Sequence, residues 1–78
     1  MVRPYFVYYR AREMIALNSR AIRGVSYDSN TATLTIWFTS GEQGYDYYNV
    51  PAHVYDGLLK ASSHGSYFNH YIRDQYAA

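Results

Sequence analysis

Residues 41–69, GEQGYDYYNVPAHVYDGLLKASSHGSYFN, decide how this chain folds. Tyr45-x-Tyr47, following a glycine-bounded loop, suits a short strand, because aromatic side chains pack well on a pleated surface. Pro51 opens a helix, where its missing N–H costs little. Val50, Val54 and Leu58 then fall on one stripe, with Tyr55 and Leu59 beside it, which is the spacing of an amphipathic helix. Ser62 to Gly65 interrupts that pattern, and Ser63 is placed to cap a second helix. Phe68, Ile72 and Tyr76 share the apolar face of that helix, flanked by Tyr67 and Tyr71. Gly65 is expected where packing is too close for a side chain or where φ is positive.

Upstream, Thr31 to Thr39 is the clearest strand. Leu34, Ile36 and Phe38 fall on one face and Thr33, Thr35 and Trp37 on the other. The first face is expected in the core, and the second carries an exposed or partly covered tryptophan. Ala21 to Tyr27 is the preceding strand, with Gly24 inviting a bulge. Asp28-Ser29-Asn30 turns between them, since Asp and Asn bond their own backbone. Connections this short make neighbouring strands antiparallel. The fold class is therefore α+β: an antiparallel three- or four-stranded β-meander packed by two C-terminal helices. Leu34, Ile36, Phe38, Val54, Leu58, Phe68 and Ile72 are the expected core.

At 78 residues the chain is one domain, and chains this short bury only about 60% of their unfolded surface. It has no cysteine, which fits a reducing compartment, and no apolar run long enough to span a membrane. No charged segment followed by an apolar stretch suggests a secretory signal, so the expected location is cytoplasmic. Residues 1–13, MVRPYFVYYRARE, read as a basic and aromatic arm ahead of a domain over 14–78. Tyr5 to Tyr9 has strand propensity, and Pro4 confines such a strand to an edge or a start. Net charge is +1, but residues 1–23 hold Arg3, Arg10, Arg12, Arg20 and Arg23 against Glu13 alone. From Gly24 to Leu59 the only charged side chains are Asp28, Glu42, Asp46 and Asp56. A basic segment of this kind can contact phosphate; scattered arginines also serve simply to solvate an apolar arm.

The ordered string of residues resembles the KTSC domain, a family found at the C-terminus of some lysyl-tRNA synthetases. The match runs through Ser19, Ile22, Val25 and Tyr27-Asp28, then Leu34, Ile36, Phe38 and Gly41. It continues through Tyr45, Tyr47, Val50-Pro51, Val54-Tyr55 and Leu58, then Ala61, Ser63, Gly65, Tyr67-Phe68-Asn69, Ile72 and Tyr76. It covers roughly residues 15–76. One departure is the loop Glu42-Gln43-Gly44 before Tyr45, where the family pattern more often has two residues. The resemblance implies a small stand-alone module of bacteria or their phages, with a suggested role in RNA binding. It carries over no catalytic residue.

The residues themselves point away from catalysis. Ser62, Ser63 and Ser66 lie near His64 and His70, yet there is no nucleophile elbow, and a helix start explains Ser63 and Gly65. Asp28, Asp46 and Asp56 read as surface or capping carboxylates. His64 and His70 do not share a helical side, and the thiolates that a structural zinc favours are absent. No cofactor, metal site or enzymatic activity is expected.

Eleven tyrosines, three phenylalanines and one tryptophan are a heavy aromatic load for 78 residues. Single-strand nucleic-acid binders stack bases on sheet aromatics and follow the backbone with basic groups. Trp37, with Tyr47 or Tyr48 and with Tyr45 nearby, would form such a platform, and Arg10, Arg12, Arg20 and Arg23 would supply the positive charge. Ordinary packing is the more economical account of any single tyrosine, whose ring packs while its hydroxyl meets water. The expected function is a non-enzymatic module binding RNA or single-stranded DNA. The alternative is a protein-interaction module, self-associating or serving a partner protein through its surface aromatics and its arm. No membrane partner is expected.

Overall fold

The structure, a computed structural model, describes residues 14–76. The N-terminal arm, with Arg10 and Arg12, lies outside the described residues. Four strands and two helices follow in chain order: β1 (Ile15–Ala16), β2 (Ile22–Asp28), β3 (Thr33–Phe38), β4 (Gly44–Tyr47), α1 (Ala52–Lys60) and α2 (His64–Tyr71). The strands form one antiparallel sheet in the order β1-β2-β3-β4. The α+β meander with two C-terminal helices is therefore the observed fold. Its first strand is only two residues long, too short to leave a periodic signal in the sequence.

Turn chemistry sets the register. The Asp28 carboxylate accepts the Asn30 N–H at 2.9 Å, the local bond that makes Asp a turn former. The turn closes through Ala32, whose φ of 56° lies in the left-handed region. A Cβ there crowds the following carbonyl, costing about 1–2 kcal/mol. The conformation is held because the Ala32 carbonyl accepts the Val50 N–H at 2.9 Å. Ala32→Gly removes that crowding at some cost in unfolded-chain entropy, and a net gain of about 0.5–1 kcal/mol is expected. Thermal melts of the two proteins check it: a lower melting temperature for the glycine variant would mean that Ala32 is not strained.

The bulge invited by Gly24 is present. Ile22 pairs with Phe38 and Gly24 with Trp37, so Arg23 is the extra residue. The shift places Ile22 and Val25, three apart in sequence, on the same inward face. Both are fully buried.

Ile22, Val25, Leu34, Ile36, Val50, Leu58 and Ile72 have no exposed surface, and Tyr47, Val54 and Phe68 complete the cluster. Each such aliphatic burial contributes about 1.5–3 kcal/mol before entropy is counted. Six of the seven expected core residues lie here. Phe38 lies instead at the rim, half-buried, with its ring 5.2 Å from that of Phe68 in an edge-on contact. It closes one end of the core, because β3 ends there.

Pro51 stands just outside α1 as its N-cap, with φ −64° and ψ 151°. Its carbonyl accepts the Val54 N–H at 3.0 Å, starting the helix that puts Val54 and Leu58 on the sheet. Tyr27 ties this junction to the sheet. Its hydroxyl donates to the Val50 carbonyl at 2.6 Å, and its ring stacks on Tyr55 at 4.7 Å. Ser63 caps α2 as expected, accepting the Ser66 N–H at 3.2 Å. Gly65 has a negative φ, and a Cβ there would stand 3.1 Å from that of Ala21. Close approach is thus its local constraint. Beyond Tyr71 the chain continues in turns, which bring Tyr76 against the core. No helix among the described residues is long and apolar enough to cross a membrane.

Candidate nucleic-acid interface

The sheet's two faces divide the aromatic residues differently from the simplest reading of the sequence. Tyr45 pairs with Ile36 and Tyr47 with Leu34, so both project toward the helix side. Tyr47 is core: it is 8% exposed and its ring meets Phe68 edge-on at 5.6 Å. Burial raises the pKa of its hydroxyl, with Arg73 opposing and Tyr45 adding to that effect. The pairing of Trp37 with Tyr47 as one platform is therefore corrected: the two rings lie on opposite faces. Tyr45 sits at the rim of the helix side, 45% exposed, its ring 5.8 Å from Phe38.

Trp37 occupies the face turned away from the helices and is partly covered. It stands between Gly24 and Gly44 across the ladder. Its indole lies over Gly44, where a Cβ would come within 2.8 Å of the ring. Gly44 closes the loop Glu42-Gln43-Gly44 and is the first residue of β4. Its missing side chain makes the tryptophan's seat. Thr35 shares this face, its hydroxyl donating to the Asp46 carboxylate at 2.6 Å. Ser26, Thr33 and Thr35 are buried, so the face is not a plainly solvated one.

Tyr48 follows β4, 47% exposed, and by strand parity it belongs to the Trp37 face. Trp37 pairs with Gly44, four residues before Tyr48, which puts the two about 13 Å apart along the strand. They cannot clamp one base between them. They are spaced for separate contacts along an extended strand.

The two described arginines among the candidate residues gather at the Trp37 end of the sheet. Arg23, exposed in the bulge, donates from Nη2 to the Gly41 carbonyl at 2.8 Å. The Arg20 carbonyl accepts the Thr39 hydroxyl at 2.6 Å, which holds residue 20 beside the same β3–β4 turn. Glu42 lies in that turn and partly offsets their charge. Arg20, Arg23 and Trp37 thus lie at one end of the sheet, while Tyr45 and Tyr47 project from its other face.

Sequence reasoning missed a second feature. A cleft opens between the β1–β2 connection and the elbow joining α1 to α2, lined by residues 18–21 and 62–65. Ser19, Ser63 and Gly65, three of the residues that carry the family resemblance, meet there. Only their spacing in the fold, not in the sequence, reveals it. Among the described residues no group of three or more His, Cys, Asp or Glu side chains is placed to hold a metal ion.

Comparison with known proteins agrees with the fold. Residues 18–76 match the KTSC domain. A protein of Tsukamurella paurometabola is 37% identical over 65 residues, covering 83% of this chain and 96% of its own length. A lysine–tRNA ligase of Nostoc punctiforme is 42% identical over 55 residues, 70% of this chain. The chain spans only 10% of that ligase. The crystal structure of a KTSC domain protein from Yersinia pestis superposes with a TM-score of 0.81 at 25% identity, covering 86% of this chain and 93% of that one.

Proposed function

We propose that this chain, which belongs to the KTSC domain family, is a non-enzymatic cytoplasmic module that binds single-stranded RNA at the Trp37 end of its sheet. The observation that carries the reading is the seating of Trp37 on Gly44 at the same end of the sheet as Arg20 and Arg23. An indole there offers a π-face to a base while the guanidinium groups meet phosphate, the combination that single-strand binders use. Tyr48 supplies a second contact further along the face. The occurrence of a similar stretch within lysine–tRNA ligases, enzymes whose named substrate is an RNA, supports RNA over DNA.

A protein partner is the second reading. Tyr45, Tyr48 and Tyr71 are large exposed rings; Tyr45 lies in β4, the end strand of the described sheet, and Tyr48 directly follows it. Exposed tyrosines beside a strand edge suit strand addition by a partner.

Trp37 is the chain's one tryptophan, so its fluorescence reports on the proposed contact directly. Titration with single-stranded RNA should quench it at low salt. Trp37→Ala should weaken binding by about 1–3 kcal/mol at every salt concentration, with circular dichroism confirming that the variant folds. Arg23→Gln should instead reduce the slope of log affinity against log salt by about one phosphate contact. Absence of any RNA binding at low salt, where phosphate attraction is strongest, would overturn the proposal in favour of a protein partner.

A further inference from the structure

We infer that the cleft between the β1–β2 connection and the α1–α2 elbow is a phosphate-binding site, separate from the Trp37 face. The cleft has a volume of about 300 Å³ and is walled by Asn18, Ser19, Arg20, Ser62, Ser63 and His64, among others. Among the described residues no carboxylate lines it.

Its hydroxyls are biased toward donating. The Ser19 oxygen accepts two backbone N–H groups, from Ala21 at 3.1 Å and Ile22 at 3.2 Å. Both of its lone pairs are then occupied, and what it offers a ligand is its O–H proton. Ser63 accepts the Ser66 N–H and is biased in the same sense. The His64 ring is fixed at the wall by its Nδ1, which donates to the Leu58 carbonyl at 2.8 Å. Arg20 adds a guanidinium with exposed surface, and its residue takes part in the fold through its backbone carbonyl. Asn18 adds an amide and Ser62 a further hydroxyl.

A wall of hydroxyl, amide and guanidinium donors recognises an oxyanion. The number of donors exceeds what the two oxygens of a carboxylate require and suits the several oxygens of a phosphate. The source is either a terminal phosphomonoester or a phosphodiester of a nucleic-acid strand. This site shares Arg20 with the Trp37 end of the sheet, but its lining by residues 18–21 and 62–65 does not depend on the stacking role proposed for Trp37.

Amide-resolved NMR titration with inorganic phosphate tests it. Saturable shifts should appear at residues 18–21 and 62–65 in the millimolar range, and Arg20→Gln should weaken them about tenfold. Ser62→Ala should weaken them less. Arg23→Gln, outside the cleft, should leave them unchanged, which separates this site from the sheet. A 5′-phosphorylated RNA oligonucleotide and its unphosphorylated twin then identify the source. Tighter binding of the former marks a terminal phosphate, while equal shifts at the cleft mark a diester. Absence of saturable shifts with phosphate, or equal shifts in Arg20→Gln, would overturn the inference whatever Trp37 fluorescence reports.

Discussion

Leu34→Ala should cost about 3 kcal/mol of stability, and Phe38→Ala about 2, although phenylalanine is the larger side chain. Leu34 has no exposed surface and pairs across the ladder with Tyr27 on one side and Tyr47 on the other. A cavity opened there has rigid strands on both flanks and cannot collapse. Phe38 lies at the rim, where water can replace the lost ring. A domain of this size has only about 3–5 kcal/mol in total, so Leu34→Ala should be largely unfolded at room temperature. Urea denaturation of both variants measures the order. If Phe38→Ala proves the more damaging, the aromatic contact with Phe68 outweighs the aliphatic centre as the heart of the core.

Gly57→Ala should destabilise by about 1–3 kcal/mol despite placing a better helix former inside α1. The Tyr67 hydroxyl lies directly on Gly57, and a Cβ there would also come within 2.7 Å of the ring carbon Cζ. The ring is part of the seam between α1 and α2 and meets that of Tyr71 in a tilted contact at 4.7 Å, so it cannot simply swing aside. In a Tyr67→Ala background the obstruction is gone. There Gly57→Ala should become neutral or stabilising by up to about 1 kcal/mol, the ordinary helix preference. A double-mutant cycle by thermal or chemical denaturation reads the coupling. Equal effects of Gly57→Ala in both backgrounds would show that the tyrosine is not what the glycine accommodates.

Gly57 also marks where sequence reading stops. Inside a helical stripe it appears only as a poor helix former, because its reason lies in Tyr67, ten positions on and in another helix. The strands and helices were legible because alternation in Leu34-x-Ile36-x-Phe38 and the stripe of Val50, Val54 and Leu58 are local. Asp28 and Ser63 were legible because their hydrogen bonds close within a few residues. Tyr47 was not: its parity relative to Trp37 depends on the register of β4 against β3, which the alternation within either strand does not reveal. The cleft was invisible for the same reason, since residues 18–21 and 62–65 meet only after the sheet and helices have packed. Arg20, Arg23 and Trp37 could be named from residue type, yet their convergence at one sheet end rests on the Arg23 bulge and the β3–β4 turn.

The strand order β1-β2-β3-β4 follows the chain without a crossover. Each strand finds its partner in the segment just made, so the sheet itself closes only short loops. Such a chain can pair its strands in order as it leaves the ribosome, and only the closing of the core waits for the two helices that follow. A unit with that property joins readily to the end of a longer polypeptide, because its acquisition of structure makes no demand on what precedes it.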